Sequence, residues 1–317
     1  MFRSRIYRHD NEGLILVLTI LLVLGVIILT STVTFCVSGI FIVGMFVLSG
    51  IMIHSHHQSL MRHALAVDDL QAPELAQLVE DCAVKLQPGD VDVFLANEDQ
   101  LNAYTFGMGT PKVLVLYRPL LQVMSVRELS FVVGHEMGHV ALGHTWLNTI
   151  VGGLAGIPAP FGAAMLLYAA FRWWNRLCEY SADRAGLLAC GDLNVGIAAL
   201  VKLVAPEVQT QRDFDKALAL IDAEDDLVSN RFMEMFQSHP MLIRRIEKLK
   251  AYAQTKEYMQ LQAGVNSNLH APSREYANAD SPSSQGDENK TMVSERNPKP
   301  QLKPEEKWPW LKSIDRE

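Results

Sequence analysis

The sequence predicts a mainly helical α+β protein, in which two membrane-spanning helices precede a domain of helices with one small sheet. Three observations predict this arrangement. Residues 13–53 contain no Asp, Glu, Lys, Arg or His. Apolar residues alternate or cluster at 91–96, 101–107 and 112–117, which is typical of short strands. Segment 125–144 begins with a helix-capping pattern and continues with the apolar spacing of a buried helix.

The charge-free run at the N-terminus is too long for one membrane helix. As a single helix, its 41 residues would measure about 60 Å, roughly twice the hydrocarbon thickness of a bilayer. Two spans, near 13–31 and 34–53 with a turn around "TST", fit better. A cleaved signal peptide would have a much shorter apolar core. We therefore expect residues 13–53 to contact the lipid bilayer as a helical hairpin.

The flanking charges predict which side of the membrane the rest of the chain faces. Arg3, Arg5 and Arg8 precede the first span, and the turn between the spans carries no Lys or Arg. The positive-inside rule then places the N-terminus, residues 1–12, in the cytoplasm. Two spans return the chain to the same side, so the domain after residue 53 should also face the cytoplasm. In a bacterium this would be the inner, or plasma, membrane.

The remainder of the chain divides by composition into one domain and a tail. Residues 54–262 form the domain, within which the apolar segment 149–171 contains four glycines and two prolines. Residues 263–317 are rich in proline and charge, so they cannot bury enough apolar surface to offset their ordering entropy, and we expect a disordered tail. Residues 59–86 have the apolar spacing of helices, with a helix boundary at Pro73. Further helices are predicted at 172–190, 194–204, 213–222 and 240–260.

Charge and cysteine content exclude two classes of function. The net charge of −7 argues against nucleic acid as a partner, since phosphate neutralisation needs clustered Lys and Arg. Cysteines stand at only four widely spaced positions. A thiolate zinc site and a disulfide framework are therefore both disfavoured, and reduced thiols are expected.

The segment "FVVGHEMGHVALGH", residues 131–144, carries the main chemical signal. His135 and His139 lie about 40° apart around a helix and one turn apart along it, so both rings can reach one metal ion. Glu136 is placed to hold a water molecule, which is the HExxH arrangement of zinc peptidases. His144 lies about 180° from His135 while the helix continues. We therefore predict that His144 points away and is structural.

A third ligand is available in "CEYSADRAG", residues 178–186. Glu179 and Asp183 share one helical face, so Glu179 could bind the metal while Asp183 accepts a hydrogen bond from a ligand histidine. The metzincin pattern fails, because Leu142 and Thr145 stand where it requires Gly and His. Two surface histidines without a metal are the competing interpretation. Apolar neighbours of the motif weaken it, because unpartnered histidines in a buried helix are costly.

Four signals, in order, resemble the HtpX-like heat-shock and CAAX prenyl endopeptidase type of membrane zinc metallopeptidase, a gluzincin. They are "LNAYTFG", "GHEMGH", "EYSADRAG" and "SHPMLIRRIEKL", and they span about residues 60–255. The resemblance implies a gluzincin-type domain with its small sheet beside the active-site helix. It also implies one Zn²⁺ per chain, bound by His135, His139 and Glu179, with Glu136 as general base and Asp183 supporting a ligand.

The same resemblance implies roles for five further residues. His239 would stabilise the oxyanion or approach the zinc and gate it, and Arg245 would brace the carboxylates. Asn102, Ala103 and Tyr104 would lie on an edge strand that pairs with the substrate backbone. An ordinary core strand is the alternative for these three residues.

The chain departs from the family pattern between the two metal-binding helices. HtpX-type members carry two further spans there, whereas this chain has only the stretch 149–171. A single crossing would place Glu179 and His135 on opposite sides of the membrane, which a shared metal forbids. We therefore expect this segment to turn back on itself near "GIPAPFG", without a third full crossing.

These observations predict a membrane-anchored zinc endopeptidase that acts on unfolded, damaged or membrane-associated polypeptides, in quality control or processing. Two alternatives stay open: a zinc-bearing scaffold or chaperone-like factor with little turnover, and a prenyl-peptide processing protease. The general base Glu136 favours an enzyme, since a structural zinc site does not need it. The sequence is also compatible with a homo-oligomer.

Overall fold

A computed structural model describes residues 7–33, 64–107, 109–147, 162–206, 240–269 and 307–311, with isolated positions between 44 and 59. The helices are α1 (Glu12–Val33), α2 (Pro73–Leu86), α3 (Arg118–Val123), α4 (Val126–Ala141), α5 (Gly162–Cys190), α6 (Leu193–Val204), α7 (Pro240–Ala253) and α8 (Lys256–Leu269). The strands are β1 (Leu65–Ala66), β2 (Val91–Ala96), β3 (Ala103–Phe106) and β4 (Lys112–Tyr117). The predicted α+β class, mainly helical with one small sheet, is confirmed for these residues.

The strands form a four-stranded sheet in the order β1-β2-β4-β3. β2 and β4 run parallel, and the two outer strands pair antiparallel with them. The centre of the sheet is apolar and buried, with Leu114, Val115 and Leu116 inaccessible to solvent. Because β3 is the last strand in this order, it lies at an edge of the sheet, and it contacts α4.

α4 lies at the centre of the fold, packed against α2, α5 and α6. Its N-terminus has the predicted capping box, in which the side chain of Ser125 accepts from the backbone N–H of Glu128 and the Glu128 carboxylate accepts from the backbone N–H of Ser125. Nearly all of its side chains from Leu129 to Val140 are buried. A largely buried helix can hold polar groups only if each has a partner, which restricts what its histidines can do.

Four helix predictions differ from the structure. The region 59–86, predicted to be helical around Pro73, contains strand β1 before α2 begins at Pro73, and the helix predicted over 172–190 begins earlier, at Gly162. α4 ends at Ala141 rather than at His144, because Leu142 caps it and Gly143 takes a positive φ of 78°. The helix predicted over 240–260 is two helices, which the residues between Ala253 and Lys256 separate. The helix predicted at 213–222 and the "GIPAPFG" turn lie outside the described residues.

α1 begins at Glu12 and packs its first turns against α5. Ile15 is buried with Trp174, Leu177 and Cys178. Other apolar side chains of α1 are exposed, namely Leu14, Val17, Leu18, Ile20, Leu21, Leu22, Leu24, Ile28 and Leu29. Among the described helices, none meets the length and hydropathy required to cross a membrane. Most of the second predicted span lies outside the described residues.

The structure departs from the predicted disordered tail, 263–317, in two places. α8 continues to Leu269, and residues 307–311 dock on the domain. The Trp308 side chain is fully buried, and its indole N–H donates to the Leu121 carbonyl at 3.2 Å. Composition disfavours order for the segment as a whole, but one buried tryptophan with a satisfied N–H can fix a few residues. The remaining tail residues lie outside the described part of the chain.

Candidate active site

Small residues bring α4 and α5 into close contact. A Cβ built on Gly134 would lie 2.3 Å from the Cβ of Ala189, and one on Gly186 would lie 2.8 Å from the Phe131 carbonyl oxygen. The close approach lets a carboxylate on α5 reach histidines on α4.

His135, His139 and Glu179 converge as predicted. The Nε2 atoms of the two histidines are 3.2 Å apart. Glu179 Oε1 lies 3.4 Å from His139 Nε2, and Glu179 Oε2 lies 3.6 Å from His135 Nε2. These residues form a group able to hold a metal ion.

The spacing of the three side chains fits tetrahedral zinc. Bonds of about 2.0–2.1 Å from zinc to nitrogen and oxygen separate neighbouring ligand atoms by roughly 3.3 Å. The observed separations of 3.2, 3.4 and 3.6 Å lie close to that value. Two imidazoles and one carboxylate also form the donor set of catalytic zinc sites that keep a fourth position for water.

Asp183 and Arg245 support this group from the far side. Asp183 Oδ1 lies 3.0 Å from His135 Nδ1. The Arg245 guanidinium donates to both oxygens of Asp183, at 2.6 and 2.8 Å, and its third nitrogen lies 3.2 Å from Glu179. Such a bidentate pair fixes the carboxylate, which in turn fixes the orientation of the His135 ring.

The charge of Arg245 determines the ionisation of both carboxyls. Burial alone would raise the pKa of Glu179 and of Asp183, but the guanidinium and the neighbouring histidines more than offset it. The pKa of each carboxyl therefore lies below its usual value. Both groups are anionic near neutral pH, which metal ligation and hydrogen-bond acceptance require.

The prediction that His144 points away is wrong. Because α4 ends at Ala141 and Gly143 reverses the chain, the His144 ring returns to the ligand side, with its Nδ1 3.0 Å from His139 Nδ1. His144 also contacts Glu12, a buried residue that the sequence interpretation missed. The one available signal was an acid directly before the apolar run.

A cleft of about 570 Å³ opens beside the ligand group. Glu136, the predicted general base, lines it together with the three ligand residues. One wall comes from the sheet edge and the other from α5. The lining residues are Leu101, Asn102, Ala103, Tyr104, Thr105, Phe131, Val132, His135, Glu136, His139, Phe171, Arg172, Trp174, Asn175, Glu179, Leu203 and Arg245.

The hydrogen-bond register shows which backbone groups of β3 face away from the sheet. The Asn102 carbonyl accepts from the Tyr117 N–H at 3.0 Å, and Tyr104 pairs with Val115. Successive residues of an antiparallel strand alternate in direction. The N–H and C=O groups of Ala103 and Thr105 therefore point toward the open edge, while those of Asn102 and Tyr104 face β4.

Of the sequence-predicted site residues, one cannot be placed. His239 lies outside the described residues, immediately before α7, which carries Arg245. The structure brings together His135, Glu136, His139, Glu179, Asp183 and Arg245, and it places Asn102, Ala103 and Tyr104 along the cleft.

Comparison with known proteins agrees with this geometry. The sequence profile of peptidase family M48 matches residues 69–253, more than half of the chain. The chain belongs to peptidase family M48. The matched range includes every described residue of the ligand group, both supporting residues and the edge strand, and it confirms the predicted HtpX-like metallopeptidase relationship at the level of the family.

Individual M48 relatives are distant in sequence. The chain is 27% identical over 219 residues to a plastoglobule-localized metallopeptidase 48 of Arabidopsis thaliana, an alignment that covers 64% of this chain and 63% of the relative. It is 26% identical over 233 residues to a protease HtpX homolog of Ralstonia pickettii, covering 62% of this chain and 80% of that protein. A homolog from Thermodesulfovibrio yellowstonii is also 26% identical, over 230 residues. No solved structure gives a significant match.

Proposed function

We propose that this chain is a membrane-anchored zinc endopeptidase that cleaves unfolded, damaged or membrane-associated polypeptides, in HtpX-like quality control or processing. The observation that carries the proposal is the convergence of His135, His139 and Glu179 beside Glu136 in one cleft. A structural zinc site needs four protein ligands and no base. Three ligands, an adjacent carboxylate and an open cleft are the composition of a hydrolytic site.

The residues divide the chemistry between them. A zinc ion held by His135, His139 and Glu179 would lower the pKa of a bound water molecule and polarise the scissile carbonyl. The Glu136 carboxylate accepts the proton of the attacking water and delivers it to the leaving amine. Asp183 keeps the proton of His135 on Nδ1, so Nε2 stays free as a ligand. His239 is proposed, from the family resemblance, to stabilise the oxyanion.

The open edge of β3 supports an extended polypeptide as substrate. Ala103 and Thr105 offer backbone donors and acceptors toward the cleft, so an extended peptide can add to the sheet as a further strand. Pairing of this kind reads the backbone rather than the side chains. It therefore suits a peptidase that acts on many unfolded sequences.

The apolar N-terminal region supports membrane anchoring. Residues 13–53 carry no charged side chain, and α1 leaves many leucines exposed. Soluble monomers rarely expose apolar patches of this kind. The proposal is that residues 13–53 insert into the bilayer as a hairpin, with the peptidase domain facing the cytoplasm.

The proposed function is tested with the purified full-length protein in lipid vesicles. An unfolded reporter protein and a matched pair of farnesylated and unmodified peptides are offered to the parent protein, the zinc-stripped protein and the zinc-restored protein. We expect the parent to cleave the unfolded reporter, the stripped form to be inactive, and about one equivalent of Zn²⁺ per chain to restore activity.

Each arm of this experiment separates one alternative. Zinc binding without cleavage of any substrate would support the scaffold alternative and overturn the peptidase. Cleavage confined to the farnesylated peptide would replace quality control with prenyl-peptide processing. Activity unaffected by removal of zinc would contradict the metal mechanism.

A further inference from the structure

The second zinc-ligand histidine is attached to a hydrogen-bonded chain that leaves the HExxH segment. His139 Nδ1 lies 3.0 Å from His144 Nδ1, and His144 Nε2 lies 2.9 Å from Glu12 Oε1. All three side chains are buried, with Glu12 and His144 exposed by only 2% and 1%. A buried chain of this kind is stable only if each member has a proton to give or a lone pair to receive it.

Proton positions follow from the role of His139. Its Nε2 faces the other ligands, so its ring proton must be on Nδ1, and that proton is donated to His144 Nδ1. His144 then carries its own proton on Nε2 and donates it to the Glu12 carboxylate. Each ring nitrogen thus donates a proton, accepts one or faces the metal ligands, and the hydrogen-bonded series ends at the Glu12 carboxylate.

Glu12 is held in place by several further contacts. Arg8 Nε lies 3.1 Å from Glu12 Oε1, and the Ser181 hydroxyl donates to Glu12 Oε2. Ser181 also accepts from the His9 N–H at 2.8 Å. The Arg8 guanidinium donates to the Leu142 carbonyl at 2.7 Å, directly at the end of α4. The first turn of α1 is therefore fixed to both metal-binding helices.

The two ligand histidines thus have matching supports. His135 is held by a carboxylate, Asp183, which is paired with Arg245. His139 is held through His144 by another carboxylate, Glu12, which is paired with Arg8. Asp183 comes from the helix that supplies Glu179, whereas Glu12 comes from the start of the N-terminal helix.

We propose that Glu12 and His144 are positioning residues that fix the tautomer and ring orientation of His139, so that zinc affinity depends on the first turn of α1. The proposal rests on the zinc peptidase function proposed above. It makes the N-terminal helix part of the metal centre as well as the proposed anchor. A displacement of α1 in the bilayer would be transmitted to His139 through two hydrogen bonds.

A second metal site is the competing interpretation of these residues. Donor atoms of Glu12, His144 and Cys178 lie within 4.8 Å of one another. Glu12 and His144 are already hydrogen-bonded to each other, and Glu12 also interacts with Ser181 and Arg8. The group is therefore satisfied without an ion, and the number of zinc ions per chain decides between the two interpretations.

The test measures Zn²⁺ affinity of the full-length protein in detergent micelles, by competition with a chromophoric chelator. We expect Glu12→Gln and His144→Ala each to weaken zinc binding by about 10- to 100-fold, the range typical of residues that orient a metal ligand. The double variant should bind no more weakly than the worse single variant, because both changes break one chain. His144→Asn, whose amide oxygen can accept from His139 Nδ1, should recover part of the loss.

Glu128→Gln is the matched control. Glu128 is also buried and paired with a basic side chain, Lys202 at 2.8 Å, but it contacts no metal ligand. This variant should lower the melting temperature and leave zinc affinity within about twofold of the parent. If Glu12→Gln fails to fold, Glu12→Asp takes its place, since it keeps the negative charge but shortens the side chain.

Several outcomes would overturn the proposal. Parent-like zinc affinity in both Glu12→Gln and His144→Ala would do so, as would fully additive losses in the double variant. Two zinc ions per parent chain, one of them lost in Cys178→Ala, would replace positioning by a second metal site. If zinc affinity depends on Glu12 but the parent protein cleaves no substrate, the peptidase function is refuted and the positioning role of Glu12 stands.

Discussion

Gly138 of α4 faces Ala185 of α5 so closely that a Cβ on Gly138 would lie 2.6 Å from the Cβ of Ala185. No side chain larger than hydrogen fits at position 138, which lies about one turn from His135. The distance between the helices therefore sets the distance between the histidines and the carboxylate. The separation of the ligand atoms depends on the absence of one methyl group.

Gly138→Ala is accordingly expected to push the helices apart, with a loss of roughly 1–3 kcal/mol in stability and weaker zinc binding. Gly264→Ala is the control, since a Cβ at that helical glycine would meet nothing within 4 Å. It should leave zinc binding unchanged. Chemical denaturation and zinc titration of both variants measure these effects. Parent-like zinc affinity in Gly138→Ala would show that the ligand distances do not depend on this contact.

Lysine is expected to replace Arg245 only in part. Arg245 donates to both oxygens of Asp183 and also contacts Glu179, which a single ammonium group cannot reproduce. Arg245→Met leaves the buried carboxylate of Asp183 and the partly buried carboxylate of Glu179 without their cation, and its unfolding free energy should fall by about 3–5 kcal/mol. The unfolding free energy of Arg245→Lys should lie between those of Arg245→Met and the parent.

The control for Arg245 is the exposed pair of Arg127 and Asp192, whose atoms lie 3.1 Å apart. Arg127→Met should cost less than about 1 kcal/mol, because water screens exposed ion pairs. Urea denaturation of the zinc-free proteins measures all three variants. Equal losses from Arg245→Met and Arg127→Met would refute the bracing role of Arg245.

Thr105→Pro tests the open edge of β3. Because the Thr105 N–H faces away from β4, proline removes a proposed donor to the substrate without breaking the sheet. The loss of one such hydrogen bond, about 0.5–1.5 kcal/mol, should lower kcat/KM for an extended peptide by roughly two- to tenfold, mainly through KM. Thr105→Ala keeps the N–H and should match the parent. Equal kcat/KM in the proline and alanine variants would place the substrate elsewhere.

The Cys82 thiol provides a pH-dependent prediction. Burial raises its pKa from 9.0 to about 12. The folded protein therefore keeps this proton at pH values where the unfolded chain releases it, so stability falls as pH rises above 9. At pH 10 the expected loss is about 1.4 kcal/mol relative to neutral pH. Cys82→Ala should lose that much less between pH 7.5 and 10 in urea denaturation. Identical losses in the two proteins would contradict the prediction.

Local geometry explains why most of the ligand group was predictable. His135 and His139, like Glu179 and Asp183, are four residues apart on a helix, and that spacing alone places each pair on one face. The capping box at Ser125 and Glu128 is equally local. Strands β2 and β4 have the predicted bounds, because apolar segments of six residues between turn signals leave few alternatives.

The remainder of the site depends on contacts between distant parts of the chain. His144 was misplaced because nothing before Gly143 indicates that α4 ends at Ala141. Glu12 is 132 residues from His144, and its position follows from how α1 packs on α5. Trp308 lies in a segment of disorder-prone composition, yet it reaches Leu121, 187 residues away. Periodicity and composition carry no information about such pairings.

Glu136 is proposed as the base of a zinc site formed by His135, His139 and Glu179. This role is tested by comparing zinc content and hydrolysis of a quenched fluorescent peptide between the purified full-length parent and Glu136→Gln. We expect one zinc ion per chain in both proteins. We also expect kcat to decrease by about 10²- to 10⁴-fold in the variant, the contribution of a positioned general base. A zinc-loaded Glu136→Gln protein that cleaves as fast as the parent would contradict this role.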